Sequence, residues 1–527
     1  MAGENPTIDR TRFEVARVTI QLTTPLRIAG GEDDASLEDM VFVRDANGLP
    51  TIPGQSITGV LRHAYARKAA EPDVKRLFGA LDGGTGTPSC VVVSWGQIHD
   101  KHDRPFPLLQ LNGLPKDDDV LALAKLGVRR DHVRLNARGV TDAEGKFDVR
   151  SVPRGARFTF EIVCYNRGGV ESDRAMDTLL AILVAPTTRL GGGGRRGNGA
   201  FAVTRVRRRG FDLGKEADRA AWRNYDMDLS RAETVLADAA VPKPGDGATV
   251  VDLKLVPDGF WSVGTGEGDT REEFGFKRFD KEDVRGTAPG GQTPRQENTK
   301  FADKVPGTEP EIVWSKTGEV RRKEQAPWVI PGASLKGLLR HRAEFHWRRA
   351  RGMFAQNLAD SDLGPWATGK DREPKRIDAF DSVFGTIKDS PEGGDEAGGV
   401  PGRLYIDDVY LPAAGAGAPK IGKFQHVSLD RFTQGPMDGM LFSEAALFGG
   451  EINVRIVLDP TELRDQKQGV PVAPDPEVLR AVDLAIDDLV QGRLAFGAHS
   501  ARGFGFCDDT KSQCSGQLAP VVEEAAE

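Results

Sequence analysis

The chain has 527 residues, 39% hydrophobic and 28% charged, with a formal net charge of −7 that divides into +6 over residues 1–210 and −13 over the rest. That length is too great for one hydrophobic core and suits two to four. No apolar run reaches the roughly 18–20 residues that cross a bilayer, Met1–Arg12 has no apolar signal segment, and Cys90, Cys164, Cys507 and Cys514 fit no zinc-ligand spacing. The expectation is a cytoplasmic protein with reduced thiols.

In chain order, Phe13–Thr23 alternates as a strand, and a Gly-rich acidic loop holding Asp33, Asp34, Glu38 and Asp39 follows. A short strand over Met40–Arg44, a turn at Asn47-Gly48 and Ile52-Pro53-Gly54 come next, and Ser56 stands where a helix N-cap belongs. Ile57, Val60, Leu61 and Ala64 then recur at helical spacing. Further on, Phe158–Val163 alternates as a strand, and Gly191–Gly199 is a glycine loop carrying Arg195 and Arg196. A charged stretch, residues 211–248, separates this half from the next, with a helix expected in Lys215–Ala240.

The second half repeats the first. Ile52-Pro-Gly-Gln-Ser-Ile-Thr-Gly-Val-Leu-Arg-His63 recurs as Ile330-Pro-Gly-Ala-Ser-Leu-Lys-Gly-Leu-Leu-Arg-His341. Leu77-Phe-Gly79 recurs as Val383-Phe-Gly385, and His132-Val-Arg-Leu-Asn136 as His426-Val-Ser-Leu-Asp430. The strand Phe158–Val163 matches Ile452–Val457, and the glycine loop after Arg189 matches the one after Arg493. Five landmarks in the same order mark a tandem duplication. The expected domains are 1–210 and 249–510, with an insertion at about 267–325 and a disordered acidic tail at 511–527. Strand, helix, strands, helix, strand in each copy predicts an α+β fold: two tandem ferredoxin-like, RRM-like domains.

The repeated residues suit a phosphate chain. The first turn of a helix presents unpaired N–H groups and partial positive charge. Ser56 with Arg62, and Ser334 with Lys336 and Arg340, add a hydroxyl and full charges there. The glycine loops let backbone approach a sugar-phosphate chain beside Arg195, Arg196 and Arg502. The basic stretches Arg129–Arg138, Arg205–Arg209 and His341–Arg351 read equally as solvated faces.

The Pro-Gly-x-Ser-[Ile/Leu]-x-Gly-x-Leu-Arg motif with a C-terminal Arg-Gly-x-Gly loop resembles the RAMP superfamily of CRISPR-associated proteins. The nearest likeness is the backbone subunit of type III effector complexes, doubled in one chain as in III-D variants. The resemblance spans about 450 residues. It implies that each copy grips CRISPR guide RNA through its phosphates, with Arg134 in the stretch leading into a thumb hairpin that interrupts the guide–target duplex. The thumbs are expected at about 139–154 and 432–447, with Pro436, Met437 and Met440 as wedge candidates. The resemblance also implies target RNA as substrate. As partners it implies a large polymerase-like subunit, a small subunit and further RAMP subunits, and no membrane.

Such subunits are endoribonucleases that use an aspartate before the second strand, which alignment places on Asp39 as catalytic residue and metal ligand, with Mg2+ or Mn2+ as cofactor. Counting back from Ile312-Val313 in copy two gives Glu309, with Asp303 nearby. The alternatives are a non-catalytic RAMP scaffold or capping subunit, a repeat-RNA processing endoribonuclease using His63 or His341, and a tandem protein binding another anion.

Overall fold

The computed structural model describes residues 7–28, 42–82, 85–135, 141–231, 233–245, 247–264, 306–322, 325–354, 379–386, 400–461, 463–464 and 471–520. Copy one is built on the strand Ile8–Leu22, whose neighbours are Phe201–Asp212 on one side and Arg157–Arg167 on the other, followed by Val91–Val93. Numbered by position in the repeat, that order is 4-1-3-2, all antiparallel, the ferredoxin-like arrangement. Copy two repeats it with Gln513–Ser515, Thr249–Leu255, Ile452–Leu458 and Leu404–Ile406. The chain is thus α+β, two such domains in tandem.

Strand alternation explains both cores. Ala16, Val18, Ile20 and Leu22 face the helices Gly54–Ala66 and Ser172–Leu183 and are buried. Val251, Leu253 and Leu255 do the same against Gly332–Ala350 and Pro476–Val490. The opposite faces differ. In copy one Phe13 and Val15 pack under Phe211, Trp222, Tyr225 and Leu236, so the connector is a cover for the first sheet. Arg207 and Arg209 serve that region, pairing with Glu233 and Asp218, while Arg208 on the other face pairs with Glu14 and with Asp177 of the helix Ser172–Leu183. In copy two Asp252, on the same face of its sheet, is exposed.

Four expectations change. The connector helix is only Glu216–Arg223, because Ala237–Ala239 joins the first sheet as an edge strand. The tail is ordered through residue 520: Gln513–Ser515 is the fourth strand of copy two, and Leu518 and Ala519 are buried. Ser56 and Ser334 are not N-caps; Pro53 and Pro331 hold that place, and each serine lies in the first helical turn with its N–H donated to the proline carbonyl. The end of the insertion, Glu311–Trp314 with Gly318–Arg321, is a hairpin laid on copy one. Ile312 N donates to Arg154 O, Trp314 Nε1 to Gly155 O, and Ile312 is buried in the first core.

Candidate nucleic-acid interface

Each copy brings together a Pro-Gly helix, a glycine loop and a long hairpin. The helix must start with glycine because it begins against a strand end. A Cβ on Gly54 would stand 2.1 Å from Val93 O, and one on Gly332 2.1 Å from Ile406 O. The glycine further along the motif has another character. No described atom lies within 4 Å of where a Cβ of Gly59 or Gly337 would be. Ser56, Gly59 and Arg62 follow at steps of three along one side of the helix, as do Ser334, Gly337 and Arg340. Arg62 and Ser334 are exposed.

The two glycine loops superpose hydrogen bond for hydrogen bond. Leu190 N donates to Gly199 O as Phe496 N does to Gly505 O, and Gly192 N to Arg27 O as Ala498 N does to Ser262 O. Both loops carry a short turn, Gly194–Arg196 and Ser500–Arg502, framed by left-handed residues: Gly193 and Gly197 in one, His499 and Gly503 in the other. Arg196 therefore matches Arg502, and Leu190 matches Phe496, two residues beyond the Leu494 of the sequence alignment. Arg196 and Arg502 are exposed.

The hairpins are Val128–Leu135 with Thr141–Ser151 and Lys420–Leu429 with Pro436–Phe448. Both carry a register shift at the same place, Val133/Leu135 and Val427/Leu429, so His132 corresponds to His426 and Val149 to Glu444. They start earlier than expected, since His132 and His426 are already in the first strands. Burial, with the guanidiniums of Arg130, Arg196 and Arg27, pushes His132 down to about 4. In copy two the buried Glu444 receives His426 at 3.1 Å, Arg502 at 3.4 Å and His499. Met437 is exposed in the second hairpin, as is Phe432 at the turn between its strands. Arg134 lies in a strand, but its side chain falls outside the described residues, as does that of Met440.

The copies meet at a charged junction. Arg130 reaches Glu309 at 2.6 Å and Asp408 at 2.5 Å, and the Tyr410 hydroxyl also donates to Glu309 at 2.9 Å. Arg189 pairs with Asp407 at 2.9 Å, Arg67 pairs with Asp459, and Arg195 lies 5.3 Å over the Tyr405 ring. Lys336 points into this junction, its Nζ donating to Leu404 O at 2.8 Å and Arg195 O at 3.2 Å. Burial first, then Arg195, Arg340 and Arg196, lower its ammonium to about 7. Arg340 lies 5.8 Å over Phe384. Nothing local in the sequence marks Arg130, Glu444 or His499 for these roles, because their partners lie far away in the chain.

Glu309 is buried with both oxygens on Arg130, so its charge is already matched and it does not suit a metal ion. Backbone bonds also relocate it. Val43 N donates to Ile28 O as Gly307 N does to Val263 O, and Asp45 N to Leu49 O as Glu309 N does to Pro327 O. Glu309 thus answers to Asp45, and counting back from Gly307 as from Val43 sets Asp303 against Asp39, each followed by x-Val. Asp39 and Asp303 lie outside the described residues. Among the described residues no group of three or more His, Cys, Asp or Glu is placed to hold a metal ion, and no helix is long and apolar enough to cross a membrane.

The RAMP superfamily model matches residues 19–202 and 313–508. Curated proteins give no match. Among solved structures, a chain of the type III-B Cmr-beta bound to cognate target RNA, determined by cryo-EM, is similar at 17% identity and a TM-score of 0.27. The match covers 38% of this chain and 62% of that one, less than two thirds of its length.

Proposed function

From a chain that belongs to the RAMP superfamily in both of its halves, we propose a guide-RNA-binding backbone subunit of a type III effector complex, holding the guide–target duplex and cleaving target RNA. The observation that carries the binding reading is the pair Gly59 and Gly337. A glycine inside a helix costs about 1 kcal/mol relative to alanine, and here no described atom uses the space it leaves. A sugar-phosphate chain running over the Ser-Gly-Arg stripe of each helix uses it, with the serine hydroxyl and arginine as contacts. Arg195, Arg196 and Arg502 extend the positive track onto the glycine loops, and Arg134 extends it into the first hairpin. Lys336 contributes indirectly, by fixing the first loop to the second helix.

Binding is tested with the full chain and fluorescently labelled guide RNA at several salt concentrations. Replacing Arg196 and Arg502 together by alanine is expected to weaken binding and to flatten the dependence on log salt by roughly one phosphate contact, because Glu444 already draws on the charge of Arg502. An unchanged slope places the RNA elsewhere.

Cleavage is proposed at Asp39 in copy one and Asp303 in copy two, each with a divalent ion, Mg2+ or Mn2+. In the complex assembled with its partner subunits, end-labelled complementary RNA shows which cuts depend on which aspartate. Asp39→Ala and Asp303→Ala are each expected to remove one EDTA-sensitive cut and leave the others, while Glu309→Gln removes none. Unchanged cutting in both aspartate variants favours the scaffold reading and moves the chemistry to a partner.

A further inference from the structure

The bases of the two hairpins answer each other residue for residue, and the one in copy two shows how such a base treats an oxyanion. Glu444 is 1% exposed and takes His426, His499 and Arg502 on its carboxylate. His499 reaches it from a left-handed backbone, φ 64°, which a residue other than glycine adopts only at a cost. Three donors thus close around two oxygens. Copy two supplies both the cradle and the anion that fills it.

Copy one keeps the cradle and lacks the anion. His132 stands for His426, Arg196 for Arg502 and Val149 for Glu444. Gly193 stands for His499, and Arg27 for Ser262, since Gly192 N donates to Arg27 O as Ala498 N does to Ser262 O. The exchange removes a carboxylate and an imidazole, brings in a guanidinium, and puts smaller side chains at two places. No acid of the first hairpin makes up the difference. Asp131 and Asp148 are on its other face, 3.8 and 2.8 Å from Arg129. Arg130, on the cradle face, spends its N–H groups on Glu309, Asp408 and Tyr410. Among the described residues, no group hydrogen-bonds or ion-pairs with the His132 ring or with the exposed guanidinium of Arg196. The ring lies 5.0 Å from that of Phe147 and nearly parallel to it.

Like charges gathered without an acid among them are unfavourable, and an arriving anion relieves them. The neighbouring guanidiniums that hold the His132 imidazole uncharged act the other way once an anion lies between them. Copy one also brings two guanidinium forks where copy two has one, and such a fork matches the oxygens of a phosphate. We infer that the base of the first hairpin is a phosphate site, in which Arg27, Arg196 and His132 take from a ligand the oxyanion that Glu444 supplies within copy two. The chain then has one open cradle and one closed by its own side chain. The site stands on the comparison of the copies and needs no RNA. That the phosphate belongs to an RNA backbone rests on the function proposed above, and a free phosphate is the other source.

The test is equilibrium dialysis of the full-length chain, freed of nucleic acid by nuclease and high salt, against radiolabelled inorganic phosphate. The wild type is expected to bind one phosphate saturably. Val149→Glu gives copy one a carboxylate of its own and is expected to bind none. Glu444→Val gives copy two the side chain that copy one has and is expected to raise the count to two. Arg196→Ala alters only an exposed side chain, so it keeps the test open should Val149→Glu fail to fold. It is expected to weaken binding by about tenfold or more, the loss of a hydrogen bond to a charged group. Displacement of the label by the dinucleotide UpU and by guide RNA identifies a backbone phosphate as the source, whereas guide RNA that binds beside the label identifies a free one. A wild type with no saturable site overturns the inference, and so does binding that neither Val149→Glu nor Arg196→Ala reduces. Guide RNA bound with its full salt dependence by a chain that takes up no phosphate sinks this site alone and leaves the proposed function standing.

Discussion

At the base of the first hairpin Val149 stands opposite Arg130 and three arginines crowd His132; at the base of the second, Glu444 stands opposite Phe424 and draws in His426, His499 and Arg502. The two backbones are the same down to the register shift, yet one site gathers arginines around its histidine and the other sets a buried carboxylate among its cations. The difference follows from position. The first hairpin sends Arg130 across to copy two, where Glu309 and Asp408 supply the carboxylates, so no acid is needed beside it. The cations of the second hairpin are instead matched locally, by Glu444. The uneven charge along the sequence is in part this junction, arginines given by copy one and acids by copy two. Duplication copies the frame, and what each surface then meets decides its side chains.

The largest effect is expected at the clasp. Arg130→Ala leaves Glu309 and Asp408 buried without their cation, a loss of about 3–5 kcal/mol of the kind measured when one partner of a buried ion pair is removed. Urea unfolding followed by tryptophan fluorescence is expected to separate into two transitions, because the copies no longer hold each other. A single transition at the wild-type midpoint would mean that the clasp does not join them.

Lys336 sharpens the same boundary through pH. Its ammonium is lowered to about 7 from an ordinary 10.5, so between those values the unfolded chain binds a proton that the folded chain does not. Stability from this group therefore rises with pH from 7 towards 10 and is flat below 7. Measured against Lys336→Met, the wild type is expected to gain thermal stability across pH 7–10. Parallel curves for the two proteins would mean that the lysine remains charged in the junction.

The third difference is between the hairpin bases. Glu444→Gln keeps the shape of the side chain and removes its charge, making copy two resemble copy one. Arg502 is then released to RNA, and the slope of log affinity against log salt is expected to steepen by roughly one phosphate contact. The reverse outcome, weaker RNA binding at every salt concentration, would make Glu444 a support for the loop rather than a brake on its charge.

Much of this frame is legible in the sequence because it is local. The Pro-Gly helix, the glycine loops and the paired strands each declare themselves within a dozen residues, and a second copy confirms each one. The junction is not legible in that way. Arg130 meets partners 179 and 278 residues away, and nothing near Arg130 distinguishes a clasp from a solvated basic face. The same holds for Arg207 and Arg209, read as part of a basic run and found holding the connector. The placement of Glu309 failed for a related reason. Counting from Ile312-Val313 assumes that this pair belongs to the strand of copy two, whereas its hairpin is laid on copy one, and only the bonds of Gly307 and Glu309 restore the count to Asp303.

The smallest effect is the most discriminating. Alanine at Gly59 or Gly337 removes a helix defect and is expected to raise stability by up to about 1 kcal/mol, since no described atom stands where the methyl group would go. If RNA lies along the Ser-Gly-Arg stripe, the same methyl pushes it away from Arg62 or Arg340, and affinity falls while the melting temperature rises. A loss of fold lowers both, and a glycine kept for no ligand raises one and leaves the other alone. Opposite signs in one variant are therefore not produced by damage to the protein. Comparing Gly59→Ala with Gly337→Ala then tells which copy holds the RNA more closely. Gly59 lies on the helix that starts against Val93, next to the exposed Trp95, and Gly337 on the helix braced by Lys336 and the first loop. The braced helix presents the more rigid surface, so Gly337→Ala is expected to cost the larger share of affinity.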